Sequence, residues 1–325
     1  MITYIIRRIL YGIPVLVGVN LITFFLFFAV NTPDDMARSQ LGNKHISQQM
    51  IDSWKHQHGY DVPLFYNSQQ QGIDQVTETL FFRKSVSLFM FNFGISDGGR
   101  NIGYDITQRM WPSLALAVPV LIFGLMLNIS FALLMVFFRS TYVEFYGVVL
   151  CVILMSISSL FYIIFGQYFV GKVLQLTPIS GYAGGWNACK FLVLPVAISV
   201  LSGIGIGARW YRTIFLEEIN KDYVRTARAK GVSELTILFR HVMKNGMLPI
   251  LTGVVVIIPS LFLGSLLMES FFGIPGLGSY TIDAIRHQDF AIVRSMVFLG
   301  SVLYIIGLIL TDISYTFVDP RVRLG

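Results

Sequence analysis

Six long apolar segments recur along the chain, separated by stretches rich in charged and polar residues. Their approximate bounds are 9–30, 112–138, 145–170, 191–209, 249–272 and 292–317. A helix needs about 20 apolar residues to cross a bilayer core of about 30 Å, and these segments have that length. The pattern therefore predicts an all-α integral membrane protein with six transmembrane helices.

A long polar stretch separates the first two predicted spans. We divide the chain into residues 1–30 with the first span, a 31–111 region, and a five-span core over 112–325 that includes a polar loop at 210–247. Within the 31–111 region the pattern predicts a short helix near 46–58. We expect the aromatic run around 81–91 to pack on the spans rather than lie on the membrane surface.

Composition supports a membrane protein, because 54% of the residues are hydrophobic and only 13% are charged, whereas soluble domains have about 25% charged residues. Arg7 and Arg8 precede an apolar run that is longer than the core of a secretory signal, so we expect a retained first span. Cys151 and Cys189 lie in or next to apolar segments. We interpret them as two buried thiols rather than a disulfide framework.

Charge predicts the orientation of the spans. Lysine and arginine outnumber the acidic residues in the short loops on the side of the termini, and such an excess marks the cytoplasm. We therefore expect a bacterial inner-membrane protein with both termini and the 210–247 loop in the cytoplasm and the 31–111 region outside. The net charge of +6 reflects this topology and gives no indication of nucleic-acid binding.

The 210–247 loop contains the sequence DYVRTARAKG at 222–231. We expect Asn220 or Asp222 to cap a helix over 223–230, which ends at Gly231 in the left-handed conformation. Ser233 is expected to cap a second helix over 234–244, and Pro249 to open the fifth span.

Small residues and basic residues alternate along this predicted helix. Thr226, Ala227 and Gly231 would allow the backbone of a partner to come close. The basic residues Lys221, Arg225 and Arg228 follow i, i+4, i+7 spacing and share one face. That face fits a protein partner, but it also fits contact with anionic lipid or a role in topology alone.

Other candidate residues lie at the ends of the last two spans. Glu269 is an ionisable group at the outer end of the fifth span, and we expect it to hold the turn that contains Pro275, Gly276 and Gly278, with gating as the alternative. Asp312, near the inner end of the last span, is expected to pair with an arginine of the 209–212 region.

We expect neither a catalytic site nor a metal site. The chain has no recognisable catalytic set, and His56 and His58 are two residues apart on one predicted helix, so we expect both to be solvated. Gly203, Gly205 and Gly207 fit close packing of helices rather than a nucleotide loop.

The run DYVRTARAKGVSELTILFRHVMKNGMLPILT closely resembles the cytoplasmic loop of permease subunits in the dipeptide/oligopeptide/nickel ABC importer family. The stretches RRILYGIPVLVGVNLITFFLF, FNFGISDGGRNIGYDITQRMWPSLALAV, ESFFGIPGLGSYTIDAIRHQDFAIV and TDISYTFVDPRVR resemble the same family in the same order. One difference lies in the third span, where SISSLF stands at 156–161 and relatives usually have a proline.

The resemblance implies the first permease of a pair, which forms half of the translocation pathway for peptides or similar small solutes. It implies a second permease, two ATPase subunits that use ATP and Mg, and an extracytoplasmic substrate-binding protein, with no cofactor bound by this chain. It also implies an ATPase-coupling helix, whose residues are Asp222, Tyr223, Arg225, Thr226, Ala227, Arg228, Lys230 and Gly231. On that basis Gly231→Pro or Ala227→Arg would abolish transport.

Two other classes of protein compete with this interpretation. A self-sufficient secondary transporter or channel would have inverted repeats and charged or interrupted spans at mid-membrane, whereas these spans have few charges. An intramembrane enzyme would need converging polar groups, and the spans offer only Asn128, Ser130 and scattered serines. The chain lacks a G-x-x-x-x-G-K-[ST] segment, so any ATPase is a separate subunit.

Overall fold

The computed structural model describes residues 2–42 and 46–318. Within these ranges the regular elements are helices, accompanied by an isolated β-bridge between Ile95 and Asn101. The helices long and apolar enough to cross a membrane are Ile6–Val30, Ile102–Phe137, Gly185–Ile219, Glu234–Leu263 and Phe290–Ser314. A bent pair, Tyr142–Ser156 and Ser159–Val173, makes a sixth span, so the predicted all-α membrane fold is confirmed.

The helices follow one another along the chain as two groups. Up to the second span they are α1 (Ile2–Phe25), α2 (Pro33–Leu41), α3 (Gln48–His58), α4 (Asp74–Thr77), α5 (Ser87–Phe89) and α6 (Ile102–Phe137). After it come α7 (Tyr142–Ser156), α8 (Ser159–Gly166), α9 (Ala188–Ile219), α10 (Asp222–Ala229), α11 (Glu234–Ile237), α12 (Lys244–Ile257), α13 (Leu266–Phe272), α14 (Leu277–Arg286) and α15 (Phe290–Val318). π-helical turns at Leu238–Met243 and a 3-10 segment at Ile258–Leu263 join α11 and α12 into one helical run.

These elements form two compact units, one from residues up to 109 together with 280–309, and one from 110–279 together with the residues after 309. The first unit has a core between the end of α1 and the polar stretch that follows it. That core contains Phe24, Phe28, Met36, Ala37, Ile51, Trp54, Tyr60 and Leu80. The 31–111 region is therefore folded on its own apolar residues rather than a structureless loop.

Local capping explains where the helices of this region begin and end. The Ser47 side chain accepts a hydrogen bond from the Met50 backbone N–H at the start of α3, and Gly59 ends the helix with a φ of +65°. The short helix predicted near 46–58 is thus confirmed. The aromatic run behaves as predicted only in part, because Leu88 is buried while Met90 and Phe91 are exposed.

In the second unit, α9 packs closely against its neighbours at two of its three glycines. A Cβ on Gly205 would lie 2.6 Å from the Cys151 carbonyl oxygen of α7, and a Cβ on Gly207 would lie 2.6 Å from the Asn128 amide of α6. Gly203 has no neighbouring atom within 4 Å of that position. The packing interpretation therefore holds for Gly205 and Gly207, and Gly203 faces open space.

Several predicted boundaries are wrong. The third span is bent by 86° at Ile157 and Ser158, where extended backbone interrupts the helix without any proline. The fourth span continues to Ile219 instead of ending near 209. Pro249 does not open the fifth span but lies inside it, and that span ends at Leu263, because the next residue, Gly264, has a φ of +71°.

The two cysteines also differ from the expectation of two buried thiols. Both are free, and Cys151 is buried, but Cys189 is exposed near the start of α9. The apolar sequence around Cys189 does not reveal this, because a helix in a membrane exposes apolar residues on its outer face as well.

Candidate functional site

The sequence predicted to bind a partner forms α10, which lies in the turn between α9 and the helical run that starts at Glu234. The predicted caps are wrong: Lys221 precedes the helix without a side-chain cap, and the Asn220 amide donates to the Leu216 carbonyl oxygen at 3.0 Å. Asp222 is the first residue of α10 and pairs with Arg225 at 3.3 Å. The side chains of the connecting residues thus hold the end of α9 and the first turn of α10.

The end of α10 agrees with the sequence. Gly231 has a φ of +76°, which confirms the predicted left-handed conformation after the helix. The Ser233 hydroxyl accepts a hydrogen bond from the Thr236 backbone N–H at 3.4 Å, so Ser233 caps the second helix as predicted. A fixed turn, rather than a flexible linker, therefore joins α10 to the helix after it.

One face of α10 is buried within the second unit. Val224 is fully buried and Ala227 is 7% exposed. They join an apolar cluster of residues from α6, α9, α11 and the helical run after it, namely Ala132, Leu133, Val136, Tyr211, Phe215, Ile219, Ile237, Leu238, Val242 and Ile250. Ala227 consequently packs inside this chain, and Ala227→Arg would disturb that core in addition to any partner surface.

The opposite face of α10 is exposed. It comprises Asp222, Arg225, Thr226, Ala229 and Lys230, with Gly231 following. Two small residues, Thr226 and Ala229, lie at i, i+3 spacing on this exposed face and leave room for the close approach of another protein. We call these residues the docking face.

Local partners orient the charged residues around the docking face. The Arg228 guanidinium donates to both Glu234 carboxylate oxygens, at 2.6 Å and 3.2 Å, and Lys221 pairs with Glu218. The Tyr223 hydroxyl donates to Glu218 at 2.7 Å. Burial and this carboxylate raise the pKa of Tyr223 to about 12, so the phenol stays neutral at physiological pH. The predicted row of three basic side chains is thus partly neutralised by acids of the same chain.

Glu269 organises a second candidate site, the turn between α13 and α14. Its side chain is fully buried, and its carboxylate oxygens accept hydrogen bonds from the backbone N–H of Ser265 at 3.1 Å and of Ser279 at 3.0 Å. The Ser113 hydroxyl of α6 accepts from the Leu277 N–H at 2.8 Å in the same pocket. The carboxylate therefore bonds backbone on both sides of the turn.

Glycines make room for this carboxylate. A Cβ on Gly276 would lie 2.3 Å from a Glu269 carboxylate oxygen, and a Cβ on Gly278 would lie 2.7 Å from the Ser265 carbonyl. Pro275 precedes them on the exposed side of the turn. The arrangement gives Glu269 the contacts that a structural role in this turn requires.

The ion pair predicted for Asp312 is replaced by another pairing. Arg212 of α9 pairs with Glu144 of α7, and Arg209 lies against the Met155 sulfur at 3.9 Å. Asp312 is half-buried on α15.

The two histidines of α3 have different surroundings. His56 is exposed as predicted, with 83% of its side chain accessible. The prediction for His58 is wrong, because its ring stacks on Trp54 at 4.2 Å and its Nδ1 lies 2.8 Å from the Trp54 carbonyl oxygen. Across residues 2–42 and 46–318 no group of three or more histidine, cysteine or acidic side chains is placed to hold a metal ion.

Sequence analysis did not single out a buried charged cluster in the first unit. Asp289 precedes α15, and its carboxylate accepts hydrogen bonds from the backbone N–H of Asp97 at 3.0 Å and of Ile292 at 3.2 Å. Burial and the nearby Asp289 carboxylate raise the pKa of Asp97 to about 6, against opposing effects of His58, Lys84 and Arg294. Burial lowers the pKa of Lys84 to about 8 and raises that of Tyr60.

We expect the segment 93–101 to loosen as pH rises through about 6. A carboxyl with a raised pKa holds its proton more tightly in the folded state than in the unfolded state, so its ionisation weakens the fold as pH increases. Lys84 stays protonated and Tyr60 neutral in this range. Hydrogen exchange of the 93–101 amides, corrected for intrinsic rates, should show lower protection at about pH 7.5 than at about pH 5.

The matched control for this prediction is Asp97→Asn, which has no proton to lose. Its protection should vary less with pH than that of the wild-type protein. Equal pH dependence in both proteins would mean that Asp97 does not control this segment.

Comparisons with known proteins were made over the whole chain. The model of the binding-protein-dependent transport system inner membrane component family matches residues 129–324, and the model of the corresponding N-terminal region matches residues 1–86. The chain is similar to the dipeptide transport system permease protein DppB of Bacillus subtilis (strain 168), with 26% identity over 99% of this chain and 98% of that protein. It is also similar to the oligopeptide transport system permease protein AppB of the same organism, with 28% identity over 99% of this chain and 100% of that protein. A putative peptide transport system permease protein of Brucella abortus (strain 2308) is 30% identical over 98% of both chains.

Proposed function

The chain belongs to the family of binding-protein-dependent transport system inner membrane components, and from that premise we propose that α10 couples separate ATPase subunits to the membrane spans. The protein is a multi-pass inner-membrane permease subunit of an ATP-driven importer and is not itself an enzyme. The similarity to dipeptide and oligopeptide permeases supports peptides or similar small solutes as its cargo.

Our proposal for the whole importer includes four partners. A second permease completes the pathway, two ATPase subunits bind ATP and Mg, and an extracytoplasmic binding protein delivers the cargo. We place both termini and α10 in the cytoplasm, because basic residues exceed acidic ones in the segments flanking α10.

The two-sided character of α10 is the observation that carries the coupling proposal. Its inner face, with Val224 and Ala227, is buried among residues of α9 and of the helical run Glu234–Leu263. Its outer face exposes Thr226 and Ala229. A displacement of α10 by a bound ATPase would therefore move both spans together, as expected for a rigid-body switch between inward-open and outward-open states.

The first test enlarges the docking face without touching the core. Thr226→Tyr is expected to reduce ATP-dependent uptake at least about tenfold, because the ring would hold the ATPase away from α10, a change equivalent to about 1.4 kcal/mol. Uptake is measured in cells, and the recovery of ATPase subunits is measured by purification through a tag on this chain. Thr141→Tyr, at another exposed threonine in the turn between α6 and α7, is the matched control and should stay within about twofold of wild type.

The two variants discriminate between a docking helix and a passive loop. Normal uptake by Thr226→Tyr at normal expression would contradict the coupling assignment. Purification of the wild-type chain without a second permease or ATPase, under conditions that preserve known complexes, would contradict the proposed assembly.

A further inference from the structure

A groove runs along the second unit between α6, α9 and the helical run Glu234–Leu263. It consists of two adjoining cavities of about 680 Å³ and 430 Å³, which share Val120, Leu121, Ser199 and Ile257 in their linings. No acidic, basic or histidine side chain is among the described residues that line either cavity. Instead, hydroxyl groups recur along the wall, from Ser159, Ser199, Ser202, Ser260 and Ser265.

Glycines give the groove its depth. No atom lies within 4 Å of the position that a Cβ would occupy on Gly124 of α6 or on Gly203 of α9. Both glycines line the cavity of 430 Å³. Close helix packing therefore does not account for Gly124 and Gly203, in contrast to Gly205 and Gly207.

Asn128 is the polar group in this groove that the fold leaves unsatisfied. It lies in the apolar α6 span, its amide rests over Gly207, and it lines the same cavity as Gly203. Its Oδ1 atom is buried and accepts no hydrogen bond from the described residues. An unpaired amide oxygen at membrane depth is unfavourable, and polar residues placed in this way commonly mark a solute pathway.

We propose that this groove is the wall of the translocation pathway in this subunit, and that Asn128 Oδ1 accepts a hydrogen bond from an amide N–H of the passing cargo. The serine hydroxyls supply further neutral contacts along the wall. A pathway with these groups would recognise the main chain of a peptide and not its charged termini or side chains. This inference rests on the proposed importer function and deepens it, because it names the residues that meet the cargo.

The first experiment measures access from water in the complete importer, in membranes. A Cys189→Ser background removes the exposed native thiol, and single cysteines are then introduced as Asn128→Cys, Ser199→Cys or Leu201→Cys. Leu201 is the matched control, since it is exposed on α9 but lies about 200° around the helix from Ser199. The probe is a small, permanently charged methanethiosulfonate.

We expect Asn128→Cys and Ser199→Cys to react at least about tenfold faster than Leu201→Cys. Their rates should also change when ATP and vanadate trap the complex, whereas the rate at Leu201→Cys should not. Equally slow reaction at Ser199→Cys and Leu201→Cys would show that lipid or the second permease covers the groove, and would overturn the proposal.

The second experiment tests the hydrogen bond itself through Asn128→Leu, with uptake of trialanine as the readout. Uptake is expected to fall about fivefold, the factor of one hydrogen bond, while the melting temperature of the purified complex is unchanged or higher. A lower melting temperature together with lower uptake would assign Asn128 to packing and overturn its role in binding.

The outcomes separate this inference from the importer function on which it rests. If wild-type protein assembles with its ATPases but does not take up trialanine, the peptide cargo fails and with it the main-chain contact, while the cysteine rates still decide where the pathway runs. If no ATPase co-purifies with wild-type protein, the assembly of the importer fails whatever the groove shows.

Discussion

Gly276→Ala is expected to prevent this permease from accumulating in a folded form. The added Cβ would lie 2.3 Å from a Glu269 carboxylate oxygen and 2.4 Å from the Ser113 hydroxyl, and both groups are already committed to hydrogen bonds with the backbone. To relieve the clash, the carboxylate would have to leave the N–H groups of Ser265 or Ser279 buried and unpaired. Overpacking and a lost charged hydrogen bond together suggest about 3 kcal/mol or more of destabilisation.

The measurement is the monodisperse yield and melting temperature of the purified protein. Gly124→Ala is the control, because α6 leaves that position open and alanine is a better helix former than glycine. A yield for Gly276→Ala equal to that of Gly124→Ala would show that the turn can move without loss, and would remove the structural role given to Glu269.

Gly205→Leu is the second variant with a large expected effect. A Cβ at Gly205 would lie 2.6 Å from the Cys151 carbonyl oxygen and 2.9 Å from the Met155 backbone nitrogen, and these backbone atoms cannot move away without separating α7 from α9. We expect loss of most of the folded protein, at about 3 kcal/mol or more, because a membrane helix pair depends on close packing rather than on exclusion of water.

Gly203→Leu is the matched control, two residues earlier in the same helix. It should fold normally, since no atom lies within 4 Å of that position. It should nevertheless reduce uptake if the groove is the pathway, because the new side chain would fill the cavity. Similar melting temperatures for the two leucine variants would contradict the α7–α9 contact.

The sequence predicts the spans well, since apolar length is a strong signal in a membrane protein. It predicts the end of α10 equally well, because Gly231 and Ser233 are residues whose backbone and capping preferences are local. The same reasoning fails for Pro249 and for the bend at Ile157. There the fold, and not the local residue preference, decides whether a helix continues.

The sites were only partly accessible to sequence reasoning. The small residues of α10 marked a close approach, but not that Ala227 faces the core of its own chain while Thr226 faces outward. Hydrophobic periodicity offers little help in such a short, polar helix. Asp97 and Asp289 are distant in sequence and meet only in the folded unit, so no spacing rule would have paired them.

The helical run from Glu234 to Leu263 has a mechanical consequence. Its 30 residues form one rod of about 45 Å, with the turn after α10 at one end and the wall of the groove at the other. A tilt of about 5° around one end of such a rod displaces the other by about 4 Å. The rod acts as a lever, so a modest rotation near the ATPase would be amplified into a shift comparable to the width of a peptide backbone.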